Sequence, residues 1–587
     1  MKSSARATQS TVRRTWVWFN LTRCSCVGGA LLFALCLVTS TAASAQTFNS
    51  IFSFSGNDGN APDLGTLVQG TDGSFYGTTG DGGANEGGTI YKITPTGELT
   101  TLYNFCSQTN CVDGNRPFAG LFLGTDGNFY GTTLYGGANN SADCEFGCGT
   151  LFRITPQGAL TTLYNFCSQP NCADGAGPHA PLMQALNGEL YGTTGSGGLN
   201  NSYCPGCGTL FKTTLAGKLT TLHLFCSETN CADGKYPVGG LVQTVNGDLY
   251  GTTWSGGVGG YGTVFNMTTW GKLTPIHSFS GRHSGGMDVG AGLVRAADGN
   301  FYGDTSGGGT AGFGTIFEIT PYGESTTLLS FIPYLEGGFA SDPLIQGTDG
   351  NFYGTTFEGS GRFYYGSAFQ MTPDGSLTPL YAFDPVDGTN PAAGLLQSTN
   401  GTFYGTTNSG GSSNNCYEGC GTVFSVSMNL GPFVAFVMRT AQVGRTVEIL
   451  GQGFTDATRV SFHGTSAPFT VVSDTFLKAS VPAGATTGPV TVTTPSGTLT
   501  SNVDFWVHPQ LLSFSPPNGP VGTQVTITGV SFKQTVGVGF GDRVPAQFTV
   551  NSDTQITAIV PSGAKTGKIG VVTKGGTAIS SGTFTVN

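Results

Sequence analysis

Twelve of the 15 cysteines form six close pairs along the chain, and paired thiols have the most definite chemistry in this sequence. The pairs are Cys106/Cys111, Cys167/Cys172, Cys226/Cys231, Cys144/Cys148, Cys204/Cys207 and Cys416/Cys420. Such pairs form disulfides or bind Zn²⁺, and a structural zinc site needs a second Cys or His pair. No pair has one beside it in the sequence, so we expect six disulfides and no metal site.

A second candidate group is aromatic and lies in segments of variable length between repeated phrases. Its members are Tyr135, Tyr203, Trp254, Tyr261, Phe313, Phe357, Tyr364, Tyr365 and Tyr417. Large rigid rings bury area at a low cost in entropy, which suits the binding of sugar rings or of a protein. Packing between repeats is the alternative role. Trp254 and the run Phe363-Tyr364-Tyr365 are the strongest candidates for a ligand site.

Carboxylates make a weaker case for acid–base chemistry. Asp304 replaces a recurrent threonine, and Arg282-His283 precede it on a loop. Glycosidic cleavage needs two carboxyl groups about 5–10 Å apart, for which Asp304, Glu358 and Asp81 are the candidates. No Ser-His-Asp signature, HExxH motif or phosphate loop occurs. We therefore expect no catalytic residue and no cofactor.

Three aspartates, Asp113, Asp174 and Asp233, follow the cysteine pairs of a recurrent Phe-Cys-Ser phrase. They could supply oxygen ligands to Ca²⁺. No loop concentrates several carboxylates, so turns in which the side chain accepts bonds from nearby backbone N–H groups are favoured.

The elements that must position these residues are repeated. Phe-Tyr-Gly-Thr-Thr or a close variant starts at Phe75, Phe129, Leu190, Leu249, Phe301, Phe352 and Phe403, at intervals of 51 to 61 residues. This period in a β-rich chain predicts a propeller with one four-stranded blade per repeat. In the first repeat the strands are a (65–69), b (75–79), c (88–93) and d (99–105), with an Asp-Gly turn between a and b.

Strand d follows only six of the seven copies of strand c. The segment 48–54 resembles the missing copy, so we expect the N-terminal strand to complete the last blade and close a seven-bladed propeller. The a–b and c–d turns would share one face, the short-turn face. The b–c and d–a loops, with all twelve paired cysteines, would share the other, the loop face, where we expect function.

After Met428 the repeats stop and two similar units of about 78 residues follow. The segment 444–454 matches 522–532, and Val481-Pro482 matches Val560-Pro561. Short strands with turn signals predict two immunoglobulin-like β-sandwiches. The expected fold class is therefore all-β, with a propeller at 46–429 and sandwiches at 430–507 and 508–587.

The first 45 residues have the features of a signal peptide. Arginines precede an apolar stretch at 27–41, and Ala43-Ser44-Ala45 has the form of a cleavage site. Its removal after Ala45 takes away five positive charges and no negative one, which makes the net charge of −10 more negative. An acidic exported chain is a poor partner for nucleic acid or anionic lipid. We expect no membrane insertion after cleavage, and a monomer.

The repeats resemble the GloVer tandem repeats of secreted bacterial proteins. The shared pattern runs from Gly-Leu-Val through Asp-Gly-x-Phe-Tyr-Gly-Thr-Thr to Gly-Thr-Val-Phe-x-Ile-Thr-Pro-x-Gly and covers about residues 46 to 429. The two C-terminal units resemble IPT/TIG domains. The first resemblance implies a secreted or surface repeat protein of no settled activity. Members often end in an anchoring signal, and this chain ends without a sorting motif, so release or anchoring stays open.

These observations favour a non-catalytic binding or adhesion protein that is secreted or displayed on the cell surface. Its partner would be a glycan or a cell-surface protein, bound on the loop face. Two alternatives stay open: an envelope scaffold without a small ligand, and a carbohydrate-active propeller enzyme.

Overall fold

The computed structural model describes residues 46–62, 65–141, 144–201, 204–268, 271–281, 286–332, 336–340, 342–359, 364–541 and 543–587. The predicted signal peptide lies outside the described residues, as do Tyr203, Arg282-His283 and Phe363. The described part of the chain is all-β, with short 3-10 turns at Thr109–Cys111, Pro170–Cys172, Thr229–Cys231 and Phe454–Asp456. Within these ranges, no helix has the length and apolar character needed to cross a bilayer.

Seven antiparallel four-stranded sheets occupy the described part of the repeat region. Strand a is short: Val68–Gln69, Phe122–Leu123, Met183–Gln184, Val242–Gln243, Val294–Arg295, Ile345–Gln346 and Leu396–Gln397. Strand b carries the repeated phrase: Phe75–Thr79, Phe129–Thr133, Leu190–Thr194, Leu249–Thr253, Phe301–Thr305, Phe352–Thr356 and Phe403–Thr407.

Strands c and d complete each sheet. Strand c comprises Thr89–Ile93, Thr150–Ile154, Thr209–Thr213, Thr263–Met267, Thr315–Ile319, Ser367–Met371 and Thr422–Ser427. Strand d comprises Leu99–Asn104, Leu160–Asn165, Leu219–Leu224, Leu273–Ser278, Ser325–Ser330 and Leu377–Ala382. Two further two-stranded sheets lie in the loops: Asn200–Asn201 pairs with Cys204–Pro205, and Gly286–Met287 pairs with Gly307–Gly308.

The repeated phrase is a packing motif. In the first repeat all five residues of strand b are buried. A Cβ atom on Gly77 would lie 2.5 Å from the hydroxyl oxygen of Tyr91, so only glycine fits there. The Tyr76 hydroxyl donates to Asp72 Oδ2 at 3.1 Å and ties strand b to the Asp-Gly turn. The repeated Tyr and Gly therefore serve the fold.

The N-terminal strand Thr47–Ser53 pairs antiparallel with Thr422–Ser427 of the seventh repeat. It therefore occupies the place of strand d in that sheet. Phe54, Leu67 and Phe75 share one buried cluster with Tyr404 and Val423, so residues of the first and last repeats pack together.

Each C-terminal unit consists of two four-stranded sheets around its own apolar core. The first has strands Ala435–Phe436, Thr446–Leu450, Phe476–Ser480 and Phe469–Ser473 in one sheet, and Thr465–Ala467, Arg459–Phe462, Val490–Thr494 and Gly497–Thr500 in the other. The second has Gln510–Ser515, Gln524–Val530, Gln555–Ile559 and Phe548–Ser552, then Val544–Pro545, Thr535–Phe540, Ile569–Thr573 and Gly576–Ile579. Parallel pairs join Thr440–Ala441 to Trp506–Val507 and Asn518–Gly519 to Thr585–Val586.

The first C-terminal unit contacts the repeats at their a–b turns. The Thr475 hydroxyl donates to the carbonyl oxygen of Thr71 at 3.1 Å, and Gln452 Nε2 donates to Thr399 Oγ1 at 2.9 Å. Thr71 and Thr399 both belong to a–b turns. The unit therefore lies on the side of the repeats that carries these short turns.

Candidate ligand-binding face

One left-handed residue per repeat organises the d–a and b–c loops. These residues are Ala61, Arg116, Gly177, Tyr236, Asp288, Phe339 and Asn390, with φ between 52° and 61°. We call them the left-handed ring. Six of them carry a side chain, although such φ values are unfavourable for residues other than glycine. Strained backbone of this kind is retained where the surroundings over-determine it, and it clusters at functional sites.

Each member of the ring links two neighbouring repeats through its backbone. The N–H of Arg116 donates to the carbonyl oxygen of Gly87 at 3.0 Å in the first repeat, and its own carbonyl oxygen accepts from Leu134 at 2.9 Å in the second. The same two bonds recur at the other six positions, with lengths between 2.8 and 3.3 Å. The residues of the ring are unrelated in type and all half-buried. A uniform backbone therefore presents a varied set of side chains.

Trp254 contacts two members of the left-handed ring, Tyr236 and Asp288. Its backbone N–H donates to the carbonyl oxygen of Tyr236 at 3.0 Å. Its side chain is 46% exposed and packs over Gly290 of the next repeat, where a Cβ atom would lie 3.9 Å from the indole. The carboxylate of Asp288 lies beside this side chain. Burial raises the pKa of Asp288, and the neighbouring Trp254 side chain opposes the rise.

A second aromatic group surrounds Arg116. Arg116 Nε donates to Asp81 Oδ1 at 2.9 Å, and its guanidinium lies 6.0 Å from the ring centroid of Tyr135. Phe146 meets Tyr135 edge-on at 6.2 Å and is 76% exposed. Asp81 is thus paired with a cation. The sequence reasoning missed Phe146, although its position between Cys144 and Cys148 places it at a loop tip.

The remaining aromatic residues of the predicted group differ in how far their side chains are exposed to solvent. Tyr364 and Tyr417 are 60% and 91% exposed. Tyr261, Phe313 and Tyr365 occupy the position before strand c that holds Cys148, Cys207 or Cys420 in other repeats. There Tyr261 packs against Gly281 and Phe313 against Gly338. Phe357 is half-buried, and its carbonyl oxygen accepts from Asn390 Nδ2 at 3.1 Å. The rings of Tyr261 and Phe313 therefore have packing contacts.

The candidate carboxylates lie in different environments. Asp304 is fully buried, with no hydrogen-bond partner for either carboxylate oxygen among the described residues. Burial and the nearby charge of Asp342 raise its pKa well above the usual value. Glu358 is half-buried on a backbone bridge to Gly338. Asp304 is therefore out of reach of a polymer at the surface.

The d–a loop aspartates act within their own turns. Asp113 accepts from the N–H and hydroxyl of Ser107 at 3.0 and 2.8 Å, and from the Tyr103 hydroxyl at 2.8 Å. Asp174 repeats this pattern, and Asp233 does so with His223 in place of the tyrosine. These hydrogen bonds agree with the prediction that the three aspartates stabilise local turns.

All six predicted cysteine pairs are disulfides in the structure. Four of the pairs nevertheless lie beside a second pair in space. The sulfur atoms of Cys144, Cys148, Cys167 and Cys172 all lie within 4.8 Å of one another, and so do those of Cys204, Cys207 and Cys226. The reason is that the b–c loop and the following d–a loop of one repeat meet. Within the described ranges, the isolated pairs are Cys106/Cys111 and Cys416/Cys420.

Comparisons with known proteins give two family matches. The model of the Gloeobacter/Verrucomicrobia repeat matches residues 37–257, 141–296 and 245–465. The model of the IPT/TIG domain matches residues 436–506 and 509–586. No curated protein sequence matches the chain.

Solved structures resemble the chain distantly. A streptogramin B lyase is 14% identical over 66% of this chain and 99% of its own, with a TM-score of 0.42. A fungal alcohol oxidase of the AA5 family, in complex with copper, is 15% identical over 79% and 99%, with a TM-score of 0.45. A surface glycan-binding protein of Prevotella bryantii is 20% identical over 27% and 39%, with a TM-score of 0.20. Similarities this distant give no indication of what this chain does.

Proposed function

The chain belongs to the Gloeobacter/Verrucomicrobia repeat family and carries two IPT/TIG domains, and from this we propose that it is an exported, non-catalytic protein that binds a glycan on its loop face. Repeats combined with IPT/TIG domains fit a surface or binding protein. The ligand and the site are our proposal. The observation that carries it is the exposed Trp254 beside the carboxylate of Asp288.

We propose that the repeats form a seven-bladed propeller at 46–429, closed by the N-terminal strand, with IPT/TIG domains at 430–507 and 508–587. The pairing of Thr47–Ser53 with the seventh sheet supports closure. So does Ala61, which donates to Cys420 of the last repeat and accepts from Gly80 of the first. Cleavage of the signal after Ala45 and export to the cell exterior or the cell surface belong to the same proposal, and the close disulfide pairs support it.

The chemistry of the Trp254 junction suits a sugar. An exposed indole offers a flat apolar face to the C–H surface of a pyranose. The Asp288 carboxylate beside it can accept hydrogen bonds from sugar hydroxyls, and bonds to a charged acceptor are the stronger ones. Lys235 Nζ, 5.5 Å from the ring centroid of Tyr236, adds a donor at the same junction. The acidic net charge disfavours polyanions, so neutral polysaccharides are the expected class.

The contacts of the first IPT/TIG domain support use of the loop face. That domain covers part of the short-turn face through Thr71 and Thr399. In a propeller the loop face then points away from it. A rigid scaffold that displays variable loops on its free side is a common arrangement for recognition.

The test is affinity electrophoresis of the chain 46–587 in gels that contain plant or microbial polysaccharides. Retardation by a neutral polymer, lost in W254A, is the expected result. Y322A is the matched control, because Tyr322 is 91% exposed but lies on a c–d turn of the opposite face. Staining the same gels for cleared polymer tests the enzymatic alternative, for which Asp304 is unsuitably buried.

A protein partner is the second candidate, favoured by the exposure of Tyr364 and Tyr417 in two further repeats. Aromatic side chains of this kind are typical of protein contacts. Absence of retardation by every polysaccharide would shift the proposal to this class.

A further inference from the structure

In two places, two cysteine pairs lie side by side, which the formation of separate disulfides does not require. Cluster one comprises Cys144, Cys148, Cys167 and Cys172, and cluster two comprises Cys204, Cys207, Cys226 and Cys231. In a tetrahedral zinc site with Zn–S bonds of about 2.3 Å, neighbouring sulfur atoms lie about 3.8 Å apart. The sulfur atoms of cluster one all lie within 4.8 Å of one another. Sulfur atoms of different pairs therefore need to approach by only about 1 Å or less to surround one ion.

Cluster two repeats the arrangement in the next repeat. Three of its sulfur atoms lie within the same 4.8 Å limit, and the fourth belongs to Cys231, the disulfide partner of Cys226. The four cysteines share one buried cluster with Phe225. A buried set of four sulfur atoms is the environment of a closed structural site.

In the part of the chain that the structure describes, the two remaining cysteine pairs do not form such clusters. Cys106/Cys111 faces Gly87, where a Cβ atom would lie 2.9 Å from Cys106 Sγ, so no second pair fits. Cys416/Cys420 faces Gly56, where a Cβ atom would lie 3.5 Å from Cys416 Sγ. These two pairs have no second pair within the described residues and offer only two sulfur ligands each.

We propose that, when reduced, the two clusters are tetrathiolate Zn²⁺ sites, so that each cluster holds either two disulfides or one zinc ion. Conversion of one cluster needs a dithiol reductant. Two dithiol molecules become cyclic disulfides, and their four electrons and four protons convert two S–S bonds to four thiols. Zn²⁺ then displaces the four protons and forms four Zn–S bonds. The product carries two negative charges, whereas the two-disulfide form is neutral.

Cluster two connects this exchange to the candidate ligand site. The N–H of Tyr236 donates to the carbonyl oxygen of Cys207 at 2.8 Å, and Tyr236 in turn accepts from Trp254. The N–H of Gly257, in the Trp254 loop, donates to the carbonyl oxygen of Cys231 at 2.8 Å. Cluster two is therefore bonded directly to the loop that presents Trp254.

The test uses the chain 46–587, reduced with a dithiol, loaded with Zn²⁺ without oxygen and passed through a desalting column. Metal analysis should find two Zn²⁺ per chain in the parent. The C144S/C172S variant should retain one. C106S/C111S, the matched control on an isolated pair, should retain two. Retention of no zinc by the parent, or equal losses in both variants, would overturn the proposal.

Cobalt gives a readout that does not depend on any variant. Co²⁺ added to the reduced parent should produce the intense visible bands of tetrahedral thiolate coordination, and Zn²⁺ should abolish them by displacement. Oxidation of the chain before addition should prevent them, because disulfides offer no thiolate. A spectrum of octahedral aqueous Co²⁺ under reducing conditions would contradict tetrathiolate sites.

Discussion

The N–H of Ala61 donates a hydrogen bond to the carbonyl oxygen of Cys420 at 3.2 Å, although these residues lie near opposite ends of the repeat region. The same bond joins every other pair of neighbouring repeats, so the first and last repeats are linked as any two neighbours are. This equivalence supports the proposed closed ring.

Closure depends on the N-terminal strand, which the F48A variant tests. Phe48 stacks on Tyr381 at 3.6 Å and contacts Phe383 and Phe424. Loss of a half-buried ring should lower the free energy of unfolding by about 2 kcal/mol. Exposed Asn49 provides the control N49A, with a change within about 0.5 kcal/mol. Urea unfolding measures both, and equal midpoints for the two variants would count against closure.

Asp304 should reduce stability at neutral pH. Burial raises its folded-state pKa, so the folded protein binds the proton more tightly, and stability declines as pH rises from the ordinary carboxyl pKa to the raised one. D304T restores the threonine of the other repeats and should raise the free energy of unfolding by about 1–3 kcal/mol at pH 7.

The gain from D304T should shrink towards pH 4, where the carboxyl group is protonated in the folded protein. The converse variant T252D, which loses the 2.9 Å bond from the Thr252 hydroxyl to Ala291, should destabilise. Urea unfolding at pH 4 and pH 7 measures both variants. A gain in D304T that is independent of pH would contradict a raised pKa for the buried Asp304 carboxyl group.

Asp126 should have the opposite pH dependence. Burial alone would raise its pKa, but hydrogen bonds from Asn128 and Tyr130 lower it below the usual value. Its stabilising contribution is therefore present above the ordinary pKa and lost as pH falls through the folded pKa. D126A should cost about 0.5 kcal/mol at pH 7, a small effect because solvent screens this exposed carboxylate, and less at pH 3. Thermal midpoints across this range measure it, and a constant difference would contradict the assignment.

Trp506 should hold the first IPT/TIG domain against the repeats. The Arg439 guanidinium lies 3.8 Å from its ring centroid and that of Arg295 lies 5.8 Å away. Burial and the charge of Arg295 lower the pKa of Arg439 to about 10. W506A loses the contact with Arg295 of the repeats, whereas R439K changes a stacking contact within the domain only. We expect the radius of gyration in solution scattering to increase in W506A and to stay close to the parent value in R439K. An unchanged value in W506A would refute this role.

Much of the fold was predictable because the same local turn and strand signals recur in each repeat. The Asp-Gly turn after Val68–Gln69 and the period of Phe75-Tyr76-Gly77 place strands a and b directly. The segment 48–54 could be assigned as the missing strand d because strand c occurs seven times and strand d follows only six of its copies. The side of the repeats that the first IPT/TIG domain contacts could not be predicted. Nothing in the local sequence of Thr71 or Thr475 distinguishes it from other turn residues, and the contact exists only in the folded chain.

The site was only partly predictable for the same reason. Trp254 is visible as an aromatic in a variable loop, whereas Asp288 and Tyr236 belong to a position whose side chain varies in every repeat. Their common feature is a left-handed backbone imposed by contacts with two neighbours, which leaves no residue signature. The cysteine clusters were hidden because Cys148 and Cys167 come together only when two loops fold onto each other.

The measurement that tests the central claim most directly is the dissociation constant of the retarding polysaccharide for the parent, W254A and Y322A, from mobility against polymer concentration. Loss of a stacking indole should weaken binding by about tenfold or more, which corresponds to about 1.4 kcal/mol, while Y322A should bind like the parent. Equal weakening in both variants, or unchanged binding in W254A, would contradict a glycan site on the loop face.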